Sequence, residues 1–206
     1  MLTSINPLGE RGRGNTWERT VAPYLVLSGV GGAMTGGALG ALGALLAVPT
    51  ATGRWVAAAT LILAAGADLS ARRLPGGHRQ VDQDWLTRYR GWFYGAGFGW
   101  QLGTGVLTVV TSASTYALLV LLVLTGSPGA GALVGAVFGL VRALPVLVVR
   151  PVHAPDQLRA LAVRLDAWAV PAARGTAAVL ALGGLTLAGV AVTGVAVAGV
   201  PIGGAP

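Results

Sequence analysis

Long stretches without charge alternate with short arginine-bearing segments along the chain. No charged side chain occurs from Val21 to Gly53, and none occurs from Gly91 to Val141. A helix that crosses a bilayer needs about 20 predominantly apolar residues. The pattern therefore predicts membrane spans near residues 24–48, 55–70, 92–124, 129–149 and 175–200.

The third of these stretches, 92–124, is longer than a single span requires. It contains a weak break at Thr111–Thr115, a run of small and polar residues, and it ends before a turn signal at Gly126–Gly129. If the weak break is a full turn, the chain has six spans. We expect five spans, with 92–124 as a broken or re-entrant element, because the arginine-rich segments then all face the cytoplasm.

Residues 156–170, between the fourth and last predicted spans, form an amphipathic pattern. Leu158, Leu161 and Leu165 share one helical face, and Arg159 and Asp166 lie opposite. This arrangement predicts a helix lying in the membrane interface. The expected fold is therefore all-α: a polytopic membrane helix bundle of five or six transmembrane spans with an interfacial amphipathic helix. Residues 1–20 form a cytoplasmic N-terminal tail, and residues 21–206 form a single transmembrane domain.

The composition agrees with a membrane environment. Of 206 residues, 54% are hydrophobic and only 10% are charged, whereas about 25% are charged in soluble domains. The chain contains no cysteine, which excludes disulfides and thiolate metal sites.

The charge of the chain bears on its orientation. All 14 basic residues are arginine, and the net charge is +7. On a soluble protein such a charge would indicate binding to nucleic acid. Arginines that flank membrane spans, however, are typical of the cytoplasmic face of a membrane. We therefore expect no nucleic-acid partner. The prediction is a multi-pass protein of the cell inner (plasma) membrane with a cytoplasmic N-terminus.

Glycines recur at helical spacing in three of the predicted spans. Helices in lipid associate through small residues that let their backbones approach closely, so these stripes predict a compact bundle. The alternative is that a glycine face binds a protein partner or a second copy of the chain. The stripes comprise Gly29, Gly32, Gly36, Gly40 and Gly43; Gly91, Gly95, Gly99 and Gly103; and Gly131, Gly135 and Gly139.

Few polar residues lie within the predicted spans, and these are the candidate binding residues. Arg142 lies eight residues before Arg150, too deep for its side chain to reach the surface fully, and it needs a carbonyl, a carboxylate or water. Pro145 predicts a helix break close to it. Asp68 either lines a polar path or forms an ion pair with Arg72 at (i, i+4). Gln101, beside Trp100, needs a partner in an apolar environment.

The sequence contains no recognisable catalytic motif. His78 and His153 have no neighbouring ligand pattern, so we expect no metal. Phosphate loops, nucleophile elbows and paired catalytic carboxylates are absent. We therefore predict a protein that is not an enzyme and that has no cofactor.

Two stretches resemble a known family. FGWQLGTGVLT at 98–108 and FGLVRALP at 138–145 are similar to parts of the membrane domain of the DsbD/CcdA thiol-electron carriers, which belong to a superfamily of small LysE-type exporters. In that family a Gly-Trp-[Thr/Ser]-Pro-Cys pattern breaks a helix. Here Gln101 and Leu102 replace the Pro-Cys pair, so electron transfer through membrane cysteines is excluded. The resemblance still implies broken helices around a small central site that is accessible alternately from two sides.

These observations favour a small-solute or ion transporter, or a permease component, with Arg142, Gln101 and Asp68 facing the path. An arginine at depth favours an anionic or carboxylate-bearing solute. The alternative is a noncatalytic membrane scaffold or accessory subunit of a larger complex.

Overall fold

The structure, a computed structural model, describes residues 5–70, 89–105 and 112–198, and this part of the chain is helical without strands. Seven α-helices and one 3-10 helix follow in order. They are α1 (Pro7–Gly12), α2 (Trp17–Leu46), α3 (Thr50–Leu69), α4 (Gly91–Gly103), α5 (Ser114–Leu124), α6 (Pro128–Ala143), the 3-10 helix Leu144–Val149 and α7 (Pro155–Ala198).

Three helical segments are long and apolar enough to cross a membrane by themselves: Trp17–Leu46, Pro128–Val149 and Pro155–Thr193. This is fewer than the five or six spans expected from the sequence. The predicted span at 55–70 belongs to α3, whose 20 residues include Arg54 and Asp68. The predicted span at 92–124 contains two helices of 13 and 11 residues, each too short to cross alone. The three apolar segments are nevertheless typical of a membrane-embedded protein.

The predicted interfacial helix at 156–170 is not a separate element. It is the first part of α7, whose 44 residues run without interruption through Pro171. A proline removes only one backbone donor, and the alanines that follow it favour helix. At 1.5 Å per residue α7 is about 66 Å long, about twice the thickness of a hydrocarbon core. Its first part therefore has length to extend beyond the apolar layer.

Helix α2 lies between α4 and α6, and all three are packed through glycine. Along α2, the carbonyl groups of Thr20, Tyr24 and Ser28 meet Gly95, Gly99 and Gly103 in turn, so α2 and α4 run in the same direction. Along the same helix, Ser28, Gly32 and Gly36 meet Gly139, Gly135 and Gly131, so α6 runs in the opposite direction. A Cβ atom at any of these facing glycines of α4 and α6 would overlap a carbonyl oxygen of α2. Only glycine allows backbones to approach this closely.

A second layer is packed mainly through side chains. Leu61 and Ala64 of α3 lie against Ala113 and Ala117, and partly buried leucines of α7 cover them. Because the end of α3 lies beside the start of α5, and Gly53 near its beginning lies beside Leu124, α3 and α5 are antiparallel.

We call the end of the bundle where α2 and α4 begin the N-terminal end. This end has its own hydrophobic core. Ile5 and the short α1 pack there beside the aromatic residues Trp17, Tyr94 and Phe98, and the 3-10 helix contributes Val146 and Val149. Residues 5–16 are therefore folded against the bundle. They begin a helix because Asn6 caps it, with its side chain accepting from the Gly9 N–H at 2.8 Å, and Pro7 occupies the first turn.

Candidate functional site in a broken crossing

Helices α4 and α5 together follow α2 from one end to the other, but in two pieces. Helix α4 packs on the first half of α2 and ends with Gly103 against Ser28. The last residues of α5 lie beside the second half, where the Val123 carbonyl meets Gly43. The two helices thus form one crossing of the bundle in two parts, because α4 ends at Gly103 and α5 begins at Ser114. Residues 106–111 lie outside the described part of the chain.

Arg142 lies at the end of α4. Its Nη1 donates a hydrogen bond to the Leu102 carbonyl at 3.3 Å, and its guanidinium lies 5.7 Å from the centre of the Phe138 ring. Leu102 belongs to the last turn of α4, where backbone carbonyls lack regular helical partners and carry partial negative charge. Its carbonyl also accepts the Gly105 N–H at 3.2 Å. Arg142 therefore neutralises the C-terminal end of this half-helix. Of the partners expected for Arg142, a carbonyl, a carboxylate or water, the structure shows a backbone carbonyl of α4.

Asp68 lies at the start of α5. Its Oδ1 accepts the Ala113 N–H at 2.6 Å, and its Oδ2 accepts the Ser112 hydroxyl at 2.7 Å. The Ser112 hydroxyl oxygen in turn accepts the N–H of Ser114, the first residue of the helix, at 3.1 Å. A carboxylate from α3 thus caps the positively polarised end of the second half-helix.

The two charges satisfy backbone ends and not each other. Among residues 5–70, 89–105 and 112–198, Glu10 and Arg13 form the only ion pair, so Asp68 and Arg142 are not paired. The predicted partner of Asp68, Arg72, lies outside the described residues.

The other candidate residues belong to the Arg142 side of the break. Trp100 and Gln101 are half-buried on α4, directly before Leu102. The Trp100 carbonyl lies close to Gly31 of α2, and the Gln101 carbonyl accepts the Thr104 hydroxyl at 2.9 Å. Pro145 is the second residue of the 3-10 helix that follows α6. Because proline has no N–H, the regular α-helical bond to the Val141 carbonyl cannot form there.

The sequence analysis missed a buried polar cluster at the N-terminal end. Glu10 of α1 is completely buried. Both of its carboxylate oxygens lie 2.5 Å from the Tyr94 hydroxyl, and Oε2 accepts the Thr20 hydroxyl at 2.8 Å. Arg13 Nη2 donates to Oε1 at 2.5 Å. The cluster ties α1 to both α2 and α4.

Charge in this cluster is balanced within it. Burial by itself lowers the pKa of Arg13, but the hydrogen bond and charge of Glu10 outweigh it and raise that pKa above its usual value. The guanidinium also lies 5.8 Å from the centre of the Tyr94 ring. The (i, i+3) spacing of Glu10 and Arg13 behind an Asn-Pro helix start was the sequence signal for this pair. Nothing local indicated that Tyr94 would cover it.

No group of three potential metal ligands from His, Asp or Glu occurs in the part of the chain that the structure describes. Comparisons with protein-family models, curated proteins and solved structures give no significant match.

Proposed function

We propose that this protein is a small-solute or ion transporter, or the membrane-embedded component of a permease, in the cell inner membrane. The observation that carries the proposal is a crossing made of two helices, with Arg142 at the end of α4 and Asp68 at the start of α5. Irregular backbone within a membrane bundle is tolerated where it is buried in protein or lines a polar cavity. In secondary transporters such half-helix ends form the solute and ion sites.

The chemistry of the two helix ends supports a proposal for the class of solute. A guanidinium has five donors in a fixed fork, so Arg142 can hold the Leu102 carbonyl and a carboxylate or another anion together. Asp68 provides an acceptor on the opposite side of the interruption. We therefore propose an anionic or carboxylate-bearing solute that binds next to Arg142, with Gln101 and Trp100 adjacent to it. A cation or proton that accompanies the solute would bind near Asp68.

The proposed topology has five crossings, with α4 and α5 counted as one and the N-terminus in the cytoplasm. The resemblance to the DsbD/CcdA and LysE-type membrane domains enters here as a further part of the proposal. In that family the stretch matched by 98–108 breaks a helix, and α4 ends at Gly103 within it. We propose that the break is exposed alternately to the two sides of the membrane.

The experiment is flux into vesicles reconstituted with the purified full-length protein. The probes are radiolabelled carboxylates, amino acids and inorganic anions, screened first with the unaltered protein. We expect Arg142→Gln to reduce flux of the transported probe more than about tenfold, the effect of losing one charged hydrogen bond, and Arg142→Lys to retain part of it. The matched control is Arg159→Gln, a charge removed from the exposed surface of α7.

Flux that is equal in Arg142→Gln and in the control would overturn the proposed path. Failure of every probe to enter the vesicles would overturn transport by the isolated chain. Circular dichroism and size-exclusion chromatography in detergent confirm that each variant is folded before its flux is compared.

The scaffold alternative has one observation in its favour, the exposed apolar surface of α7. Val163, Trp168 and Leu182 are each more than 60% exposed. The described glycines of the three stripes mostly face neighbouring helices of the same chain, so a partner would have to use α7. Purification in mild detergent tests this function: a stoichiometric second protein lost in Trp168→Ser would support it, and a chain that transports alone would contradict it.

A further inference from the structure

A polar pocket lies at the N-terminal end of the bundle, away from the broken crossing. Its cavity volume is about 480 Å³, which lies within the usual range for small-molecule sites. Its wall combines α1, the start of α2 and the segment that joins the 3-10 helix to α7. The residues that line it include Arg11, Asn15, Trp17, Glu18, Arg150 and His153.

The wall is dominated by hydrogen-bond donors. Arg11 and Arg150 come from segments about 140 positions apart and are brought together here, with His153 three residues beyond Arg150. Glu18 is the one acidic residue among those that line the pocket. Two guanidinium groups, each with five donors, leave the wall with a positive charge.

The start of α2 adds to this positive potential. Thr16, the N-cap residue, also lines the pocket and makes no side-chain capping hydrogen bond. The first backbone N–H groups of a helix have no intrahelical acceptor, and in a helix of 30 residues they form the positive end of a long dipole. Such an end favours an anion.

One buried donor in the wall has no partner in the described part of the chain. Trp17 is only 7% exposed, and its indole Nε1 makes no hydrogen bond there. A buried indole N–H normally has an acceptor, because leaving it without one costs free energy. Trp17 lines the pocket, so an acceptor-rich group bound there would lie beside this residue.

From the two arginines, the helix start and the Trp17 N–H, we propose that this pocket binds a phosphate group. Phosphate offers several acceptor oxygens and a double or single negative charge, and arginine binds it in bidentate geometry. The same chemistry is offered by the headgroup of an anionic phospholipid and by a soluble phosphate compound. The site is separate from the broken crossing, so it stands or falls independently of the transport path.

The test has two arms, both with the full-length protein in detergent. In the first arm inorganic phosphate and pyrophosphate are titrated by calorimetry. In the second arm phosphatidylglycerol or phosphatidylcholine is added, and retained lipid is counted by native mass spectrometry. The variants are the double substitution Arg11→Gln with Arg150→Gln, and Trp17→Phe, which keeps an aromatic ring but removes the N–H. The control is Arg54→Gln, an exposed arginine near the start of α3.

We expect the double substitution to weaken binding at least about tenfold, Trp17→Phe to weaken it by a smaller factor, and Arg54→Gln to leave it unchanged. If the double substitution weakens the binding of phosphate or pyrophosphate in the first arm, the ligand is a soluble phosphate compound. If it reduces the number of retained phosphatidylglycerol molecules but not of phosphatidylcholine molecules in the second arm, the ligand is a lipid headgroup. No binding in either arm, or equal binding by the double substitution and the control, would overturn the proposal. The unfolding midpoint of each variant is measured alongside, and a midpoint close to that of the unaltered protein shows that the variant is folded.

Discussion

Glu10 and Asp68 are both acidic residues inside this helical bundle, but they bind different kinds of partner. Glu10 accepts hydrogen bonds from the side chains of Arg13, Thr20 and Tyr94. Asp68 accepts from the start of α5, including the Ala113 N–H. The first carboxylate is enclosed by side chains and completes a neutral cluster. The second holds the start of α5, at the site where we propose that a solute binds.

The Glu10 cluster and the break therefore have different expected roles, the first in stability and the second in the proposed transport. A cluster whose members satisfy one another contributes to holding α1 on the bundle and has little capacity left for a ligand. At the break, in contrast, Arg142 and Asp68 each contact the backbone end of another helix, and we propose that these helix ends form the solute site. Substitutions in the Glu10 cluster should therefore change unfolding most, and substitutions at the break should change flux most.

The largest expected effect on stability is that of Glu10→Ala. It removes the carboxylate that the partly buried Arg13 contacts and leaves the buried hydroxyls of Thr20 and Tyr94 without that acceptor. Breaking a fully buried charged pair costs about 3–5 kcal/mol, and we expect a loss of up to this size. Chemical denaturation in mixed micelles, followed by circular dichroism, measures the change. Glu18→Ala, at an exposed position of α2, is the control. An equal and small change in both variants would contradict the role assigned to the cluster.

A smaller loss is expected for Tyr94→Phe. Tyr94 is completely buried and its ring stays in place, so the variant removes only the hydroxyl that donates to Glu10. Loss of a buried donor to a charged group costs about 1.5–3 kcal/mol. Thr20→Val, which removes another donor to the same carboxylate, should fall in a similar range. A stability equal to that of the unaltered protein would show that the hydroxyl is replaced by water.

Asp68→Ala should destabilise the protein less than either change. It removes a cap from α5, which is worth about 0.5–2 kcal/mol, and Asp166→Ala on the exposed surface of α7 is the control. We expect Asp68→Ala to reduce flux by a larger factor than its small loss of stability would explain, because the start of α5 loses the carboxylate that holds it in position. Unchanged flux with reduced stability would assign Asp68 a structural role only.

The smallest expected effect is the energetic coupling between Asp68 and Arg142. Residues without contact usually have additive effects within about 0.5 kcal/mol, so a double-mutant cycle of Asp68→Ala with Arg142→Gln should give a coupling below that in unfolding. The same cycle for Glu10→Ala with Tyr94→Phe should give about 0.5–3 kcal/mol. A coupling well above about 0.5 kcal/mol between Asp68 and Arg142 would contradict this prediction. It would indicate that the two residues interact directly.

Much of the helical architecture follows from local sequence. Charge-free stretches and glycine spacing indicated the helices, and the stretch 92–124 contains two of them, one ending at Gly103 and one beginning at Ser114. The number of long apolar helices was overestimated because composition alone does not show where a helix ends. The segment that includes residues 5–16 was expected to be a tail, because its apolar residue Ile5 finds packing partners only in the folded bundle.

The sequence by itself determined that the chain is helical and apolar, because hydrophobic pattern and glycine spacing act over a few helical turns. It also singled out Arg142 and Asp68 as residues that must find polar partners. Only the tertiary structure decided which partners these are. Arg142 binds a carbonyl 40 positions away, and Glu10 binds a hydroxyl 84 positions away. Those contacts depend on which helices lie side by side and in which direction, and close packing between distant segments determines both.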